Sequence, residues 1–231
     1  MSSIDQNEVE KFSKIAEEWW DENGKFKPLH KFNPIRLSHV KRKIEEKFSS
    51  ISGVKILDIG CGGGLVAEPL AKAGADLVAI DASEKNIAVA KIHAEKSGLK
   101  IDYRVSTAEE MIETFDVVLA LEIIEHVADP QSFIGDCAKL VKPGGLLFVA
   151  TMNRNLKSLA LAKIAVEYVL RWLPAGTHDW KKFLKPSEVN NYATQAGLNL
   201  KELRGFNYNI LNDSWKETDN LDINYVAVFE K

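Results

Sequence analysis

Short apolar runs alternate along the chain with stretches in which apolar residues recur every three or four positions. The runs Val54 to Ile59, Asp76 to Ile80, Ile101 to Val105, Phe115 to Leu121 and Leu146 to Thr151 predict strands. Between them, Leu65 to Ala73, Glu84 to Ser97 and Pro130 to Val141 carry helical spacing. That alternation predicts βαβ units around a parallel sheet. Phe115 to Leu121 is almost continuously apolar, as expected of a strand covered on both faces. Residues 1–50 read as helical, interrupted by Gly24, Pro28 and Pro34, with a helix predicted over Arg36 to Phe48. After Thr151 a long helical stretch leads to a loop, Pro174-Ala175-Gly176-Thr177. A helix from Pro186 to Ala196 stops at Gly197, and strands follow at about Asn199 to Arg204 and Ile223 to Phe229. The expectation is an α/β fold: a doubly wound, seven-stranded, mostly parallel sheet with an antiparallel edge, N-terminal helices and a helical insertion after the fifth strand. One domain, 1–231, would comprise a helical cap (1–50), a core (51–151), a lid or insertion (152–190) and a terminal helix with a strand pair (191–231).

Composition removes several alternatives. Of 231 residues, 45% are apolar and 27% charged, which excludes disorder for the bulk of the chain. Thirty basic side chains against thirty-three acidic ones give a net charge of −3, without the broad basic footprint of a nucleic-acid binder. Two cysteines, Cys61 and Cys137, are too few for a disulfide framework. The first residues carry neither a basic nor an apolar signal region, and no apolar stretch reaches the roughly 20 residues of a spanning helix. The expected compartment is a reducing cytosol.

The strongest local signal is Ile56-Leu57-Asp58-Ile59-Gly60-Cys61-Gly62-Gly63-Gly64, which follows a buried strand and opens a helix. Glycines allow a sharp turn and close approach of a ligand. A dinucleotide fingerprint would need glycine at 65, which is Leu, and there is no phosphate-binding G-x-x-x-x-G-K-[ST]. Asp81 ends the second strand, where a carboxylate can accept hydrogen bonds from vicinal ribose hydroxyls. Together they read as a site for an adenosine-containing cofactor, against the plainer reading of a tight turn and a capping Asp.

These residues resemble the class I S-adenosylmethionine-dependent methyltransferases, which have a Rossmann-like fold. The likeness covers about residues 50–151 through the glycine loop, Asp81, Ser106-Thr107-Ala108-Glu109 and Val141-Lys142-Pro143-Gly144-Gly145. It implies S-adenosylmethionine as cofactor, held by Asp58, Gly60, Gly62, Gly64 and Asp81, with Ala108 and Glu109 near the adenine. The flanks narrow the resemblance. Trp19-Trp20-Asp21, Gly24-Lys25-Phe26-Lys27-Pro28-Leu29-His30, Asn33-Pro34-Ile35-Arg36, Leu121-Glu122-Ile123-Ile124-Glu125-His126-Val127, Thr151-Met152-Asn153-Arg154 and Gly176-Thr177-His178-Asp179-Trp180 look like the ubiquinone-biosynthesis O-methyltransferases. That family methylates phenolic hydroxyls of polyprenylated catechol-like rings, including demethylubiquinol. The likeness implies that Arg36 pairs with the carboxylate of the cofactor, a task suited to a guanidinium fork. From the residues alone, a surface arginine opening a helix stays open. Leu121 would supply a backbone contact near the adenosine.

Glu122, Glu125 and His126 follow the fourth strand and are the candidate catalytic residues. Two carboxylates and an imidazole can hold a hard cation such as Mg²⁺, which would acidify a phenol. Alternatively His126 is a general base, or the three are solvated loop charges and a local hydrogen-bonder. His178 and Asp179 are a second pair, serving chemistry or merely fixing a loop.

In Leu156 to Leu173 the charges Lys157, Lys163, Glu167 and Arg171 fall within an arc of about 120°, leaving an unusually wide apolar face. The helix is either core, an interface with another protein, or interfacial in a membrane. Trp172 and the downstream Lys181, Lys182 and Lys185 suit an anionic membrane surface over Leu156 to Lys185. The protein is expected to sit in the cytoplasm, peripherally at the inner face of the membrane. Rival readings are a methyltransferase of another small molecule, a nicotinamide-dependent dehydrogenase, and a non-catalytic adaptor in a membrane-associated biosynthetic complex.

Overall fold

The computed structural model describes residues 5–159, 180–209 and 212–231. Eight strands form one sheet: β1 (Lys55–Ile59), β2 (Asp76–Asp81), β3 (Asp102–Val105), β4 (Phe115–Leu121), β5 (Val141–Met152), β6 (Asn199–Asn209), β7 (Ser214–Thr218) and β8 (Asn224–Glu230). Their order is β3-β2-β1-β4-β5-β8-β6-β7. The first five are mutually parallel, while β8 runs antiparallel to both β5 and β6. The chain therefore winds outward from β1 in one direction and from β4 in the other. The carboxyl ends of these two strands flank the point where the order reverses, which is where such sheets receive ligands.

Helices cover both faces. On one side lie α2 (Lys27–Phe48), α3 (Ala67–Lys72) and α4 (Glu84–Lys96). They bury Val40, Ile44, Leu70, Ile87 and Ala90 against Ile56, Val117, Leu119 and Phe148. On the other side α5 (Pro130–Leu140) and α7 (Pro186–Gln195) bury Phe133, Ile134, Cys137 and Val189 against Leu57, Val118, Leu147 and Phe229. The alternation of faces along β1 and β4 divides their side chains between the two layers. A shorter N-terminal helix, α1 (Gln6–Ser13), and α6 (Leu156–Leu159) complete the helices among the described residues.

The class of fold agrees with the pattern in the sequence; three details do not. The sheet has eight strands rather than seven. The extra one, β7, is short, and its polar residues conceal it. Trp215 anchors it, opposite Tyr208 on β6 and 4.5 Å ring to ring from Phe32 on α2. Second, α2 runs through both prolines that were expected to interrupt it. Pro28 stands in the first turn, where no intrahelical donor is needed. Pro34 is inside the helix, where it leaves the carbonyl of His30 without its usual N–H partner. Third, β5 begins at Val141, so Lys142 to Gly145 are strand, with a register shift opposite Phe115 to Val117. Of the apolar segment expected after the fifth strand, Leu156–Leu159 is helical and the remainder up to 179 lies outside the described residues, as do His178 and Asp179. Among the described residues no helix is long and apolar enough to cross a membrane.

Candidate functional site

The glycine loop leaves β1 and is tied at once to β2: the N–H groups of Gly60 and Cys61 both donate to the carbonyl of Ile80, at 2.8 and 3.0 Å. Gly60, Gly62 and Gly64 all have positive φ, +72°, +52° and +90°. At Gly62 the demand is double, because a Cβ there would lie 2.3 Å from Cζ2 of Trp19. The loop is thus pressed by a side chain of the N-terminal segment. Trp19 Nε1 donates to Asn86 Oδ1 (3.0 Å) and Trp20 Nε1 to the carbonyl of Gly63 (2.9 Å). Trp20 also stacks on His93 at 3.4 Å, and His93 Nδ1 lies 2.5 Å from Oε1 of the buried Glu68. The tryptophan pair is a part of the site to which the sequence assigned no task, although its presence was plain.

Asp81 closes the far side of the loop. Its Oδ2 accepts from the N–H of Gly62 (3.0 Å), and its Oδ1 from the N–H of Ser83 (2.8 Å) and Asn86 Nδ2 (3.1 Å). Burial raises its pKa, while these donors oppose the rise. A carboxylate has about four lone-pair sites, so acceptor capacity remains for a ligand hydroxyl. Beyond β3, Ala108 is buried and Glu109 exposed in the 3-10 turn Ala108–Glu110. Leu121, the last residue of β4, is buried opposite Ala150.

A second group gathers between β1 and β4. Asp58, only 2% exposed, has an oxygen, Oδ2, without a hydrogen-bond partner. Burial pushes its carboxyl up to about 7; Arg36 opposes this and Asp81 adds to it. Arg36, also 2% exposed, donates from Nη1 to Glu122 Oε1 (3.2 Å) and from Nη2 to Asn33 Oδ1 (2.5 Å). Its guanidinium lies 4.9 Å from the Phe32 ring centroid, and its Nε has no partner. A buried guanidinium is costly unless paired, and α2 supplies Asn33 one turn earlier for that purpose.

Glu122 turns the chain out of β4 with φ +57°. Such a conformation in a non-glycine residue costs on the order of 1–3 kcal/mol and is held only by its surroundings. Its N–H is fixed on the carbonyl of Ala150 at 2.9 Å. Burial and the charge of Glu125 raise the Glu122 pKa, and Arg36 offsets part of the rise. Glu125 is buried, and its Oε2 accepts from Thr151 Oγ1 at 2.8 Å. His126 ends the 3-10 turn Ile124–His126. Its Nδ1 lies 3.0 Å from Oε2 of Glu8, and Phe12 meets the ring edge-on at 5.1 Å.

The structure therefore brings Arg36, Asp58, Glu122 and Glu125 together. It sets His126 beside them with its Nδ1 directed at α1. Among the described residues no group of three or more His, Cys, Asp or Glu side chains is arranged to hold a metal ion. Asn33, Thr151 and Glu8 were not foreseen as members of the site. Asn33 carries a helical-spacing signal, three residues before Arg36, whereas Glu8 carries none, since it meets a residue 118 positions away.

Comparison with known proteins gives concordant results. Residues 57–149 match the family model described as a methyltransferase domain. The ubiquinone biosynthesis O-methyltransferase of Pelagibacter ubique is 52% identical over 239 residues, covering 100% of both chains. That of Parvibaculum lavamentivorans is 51% identical, covering 100% of this chain and 95% of its own. Among solved structures, the plantazolicin methyltransferase in complex with a triazolic desmethylPZN analog and SAH has a TM-score of 0.66 at 19% identity, covering 97% of each chain. Magnesium protoporphyrin IX methyltransferase from Synechocystis PCC 6803 with bound SAH gives 0.61 at 17% identity, covering 84% of this chain and 80% of its own. At those identities the likeness to solved structures is one of fold.

Proposed function

The chain belongs to the ubiquinone biosynthesis O-methyltransferases and uses S-adenosylmethionine, and on that premise we propose that it methylates the phenolic hydroxyl of a prenylated ring deprotonated beside Glu122, Glu125 and His126. The observation that carries this reading is the pair of unsatisfied buried atoms between β1 and β4. Arg36 has an N–H to give and Asp58 an oxygen to offer, 2% exposed each, at the sheet's switch point. A zwitterionic amino-acid end, carboxylate and ammonium together, complements both.

In this reading Arg36 takes the carboxylate, Asp58 the ammonium, and Asp81 the ribose hydroxyls. Gly60, Gly62 and Gly64 keep the loop close to the donor, Ala108 and Glu109 border the adenine, and Leu121 contributes backbone near the adenosine. Bound S-adenosylmethionine supplies a methyl carbon whose leaving group departs neutral. The chain's remaining tasks are to align the acceptor oxygen and to remove its proton. Alignment saves the entropy of a bimolecular encounter. His126 takes the proton, and the Glu122–Glu125 pair supplies the negative field that stabilises the resulting imidazolium.

A second reading is favoured by the carboxyl pair itself. The charge of Glu125 bears on the Glu122 carboxyl, a cation between them would relieve it, and their oxygens suit a hard ion such as Mg²⁺. Glu122 and Glu125 would hold it, and the ion would supply acidification of the phenol; His126, expected as a third ligand, is not arranged with them as one and turns its Nδ1 to Glu8. The deciding measurement is methyl transfer from labelled donor to a prenylated catechol, with and without EDTA. His126→Ala should lose about 10²–10⁴-fold in kcat, with donor affinity kept. Full activity after exhaustive chelation removes the metal, and an unaffected His126→Ala removes the base.

A prenylated acceptor resides in the bilayer, so this reading includes peripheral attachment to anionic lipid through Leu156 to Lys185, at the cytoplasmic face. It is supported by the wide apolar arc in the sequence and by Leu156, 79% exposed at its start. Any association with a biosynthetic complex would use the same apolar segment.

A further inference from the structure

The first helix has an amphipathic task that the fold does not require. α1 buries none of its own residues fully, yet two of them, one turn apart, converge on the same imidazole. Glu8 Oε2 lies 3.0 Å from His126 Nδ1, and the Phe12 ring stands perpendicular to the His126 ring at 5.1 Å. The spacing i, i+4 places both on one helix face. The His126 side chain is 11% exposed, so the contact is sheltered from solvent. Lys182 Nζ holds Glu8 and its neighbour Asp5, at 3.5 and 2.9 Å, and Lys11 lies 3.6 Å from Glu8 Oε2. The carboxylate is therefore kept ionised and kept in place. At the other end of α1, Ser13 Oγ meets Ser83 Oγ at 2.6 Å, which fixes the helix to the entry of α4.

We infer that Glu8 is a positioning residue for His126, which it holds in the tautomer with hydrogen on Nδ1 and the lone pair on Nε2. A carboxylate can only accept, so the ring nitrogen facing it must donate. The acceptor nitrogen is then Nε2, the one left to take a phenolic proton. The partner of the other nitrogen sets tautomer and orientation. Phe12 limits rotation of the ring about the axis that the hydrogen bond leaves open. The residue lies in the first turn of α1, far in sequence from the strand ends that carry the rest of the site.

This inference rests on the proposed role of His126, and the test separates the two. ¹⁵N-labelled histidine NMR reads the tautomer directly, without turnover. In the native chain the His126 signal should report Nδ1–H. In Glu8→Ala that preference should be lost, kcat should fall by about 10–100-fold as for other orienting partners, and donor KM should stay within about twofold. Glu8→Gln, which keeps an acceptor, should restore the tautomer and most of kcat. The thermal transition of each variant shows whether the fold is intact. An unchanged tautomer or an unchanged kcat in a folded Glu8→Ala protein would overturn the inference. Full turnover in His126→Ala would instead overturn the role of His126 itself.

Discussion

At the glycine loop, the requirement for glycine comes from the protein as well as from any ligand. Trp19 occupies the space into which a Cβ on Gly62 would project, and φ there is +52°. Gly62→Ala should cost about 1–2 kcal/mol for the left-handed conformation and about 1–3 kcal/mol for the clash. A lowered thermal midpoint together with red-shifted tryptophan emission, from a displaced Trp19, would check this. If stability held while donor binding fell, the loop would be serving the ligand alone. The candidates on β1, β2, α2 and the turn after β4 could be named in advance, since Asp58, Asp81, Arg36 and Glu122 sit in contiguous motifs. Their partners were less legible. Asn33 is signalled by helical spacing, but Trp19 and Glu8 act through space, and the signal for a contact spanning 67 or 118 positions is absent from any local window.

Among the elements, the sheet's pairing is supported by a polar tie that periodicity does not reveal. Asp116 on β4 accepts from the N–H of Lys55 (3.0 Å), opening β1, and from Lys142 Nζ (2.7 Å) on β5. Burial raises its pKa, but the hydrogen bonds from Lys142 and the Lys55 N–H outweigh it, and the folded value lies below the usual 3.8. A depressed carboxyl stabilises the fold above its unfolded pKa. The contribution is therefore complete above about 3.8 and is lost as pH falls further through the folded value. Asp116→Asn should flatten the acid limb of stability against pH below about 4, measured by denaturant midpoints, with little slope change near pH 7. The apolar segment after β5 is tested in a different way. Leu161→Asp with Leu170→Asp should abolish co-sedimentation with anionic liposomes while the thermal transition and donor binding persist. Loss of folding would make the segment core, and continued lipid binding would move the contact elsewhere. Elements defined by apolar periodicity, β1 to β4 and α4, α5 and α7, were legible within a few residues, and β5 only from Leu146 onward. β7 was not, because Trp215 alone carries its packing, and the continuity of α2 was hidden by Pro34, a break that tertiary contacts override.

Taken as a molecule, the sheet depends on β8. Its residues from Asn224 to Phe229 are all buried, and it is the sole link in the sheet order between β5 and the β6–β7 pair. Phe229, fully buried, faces the layer of α5 and α7. Phe229→Ala should cost about 3–5 kcal/mol, seen as a lower midpoint in denaturant. Light scattering at that midpoint should show association, since opened strand edges pair with one another. A monomeric, two-state transition would mean that β6 and β7 stay docked without it.

That placement has a consequence for the order of events on the ribosome. β5 and β6 both emerge before the strand that lies between them, so each presents an unpaired edge until residues 224–230 clear the exit tunnel. β6 and β7 can pair as a hairpin in the meantime, but that hairpin has no neighbour to join. The parallel half, built from contacts closer in sequence, can assemble early. The antiparallel half waits, and the nascent chain is most exposed to self-association and to holdase chaperones during that interval.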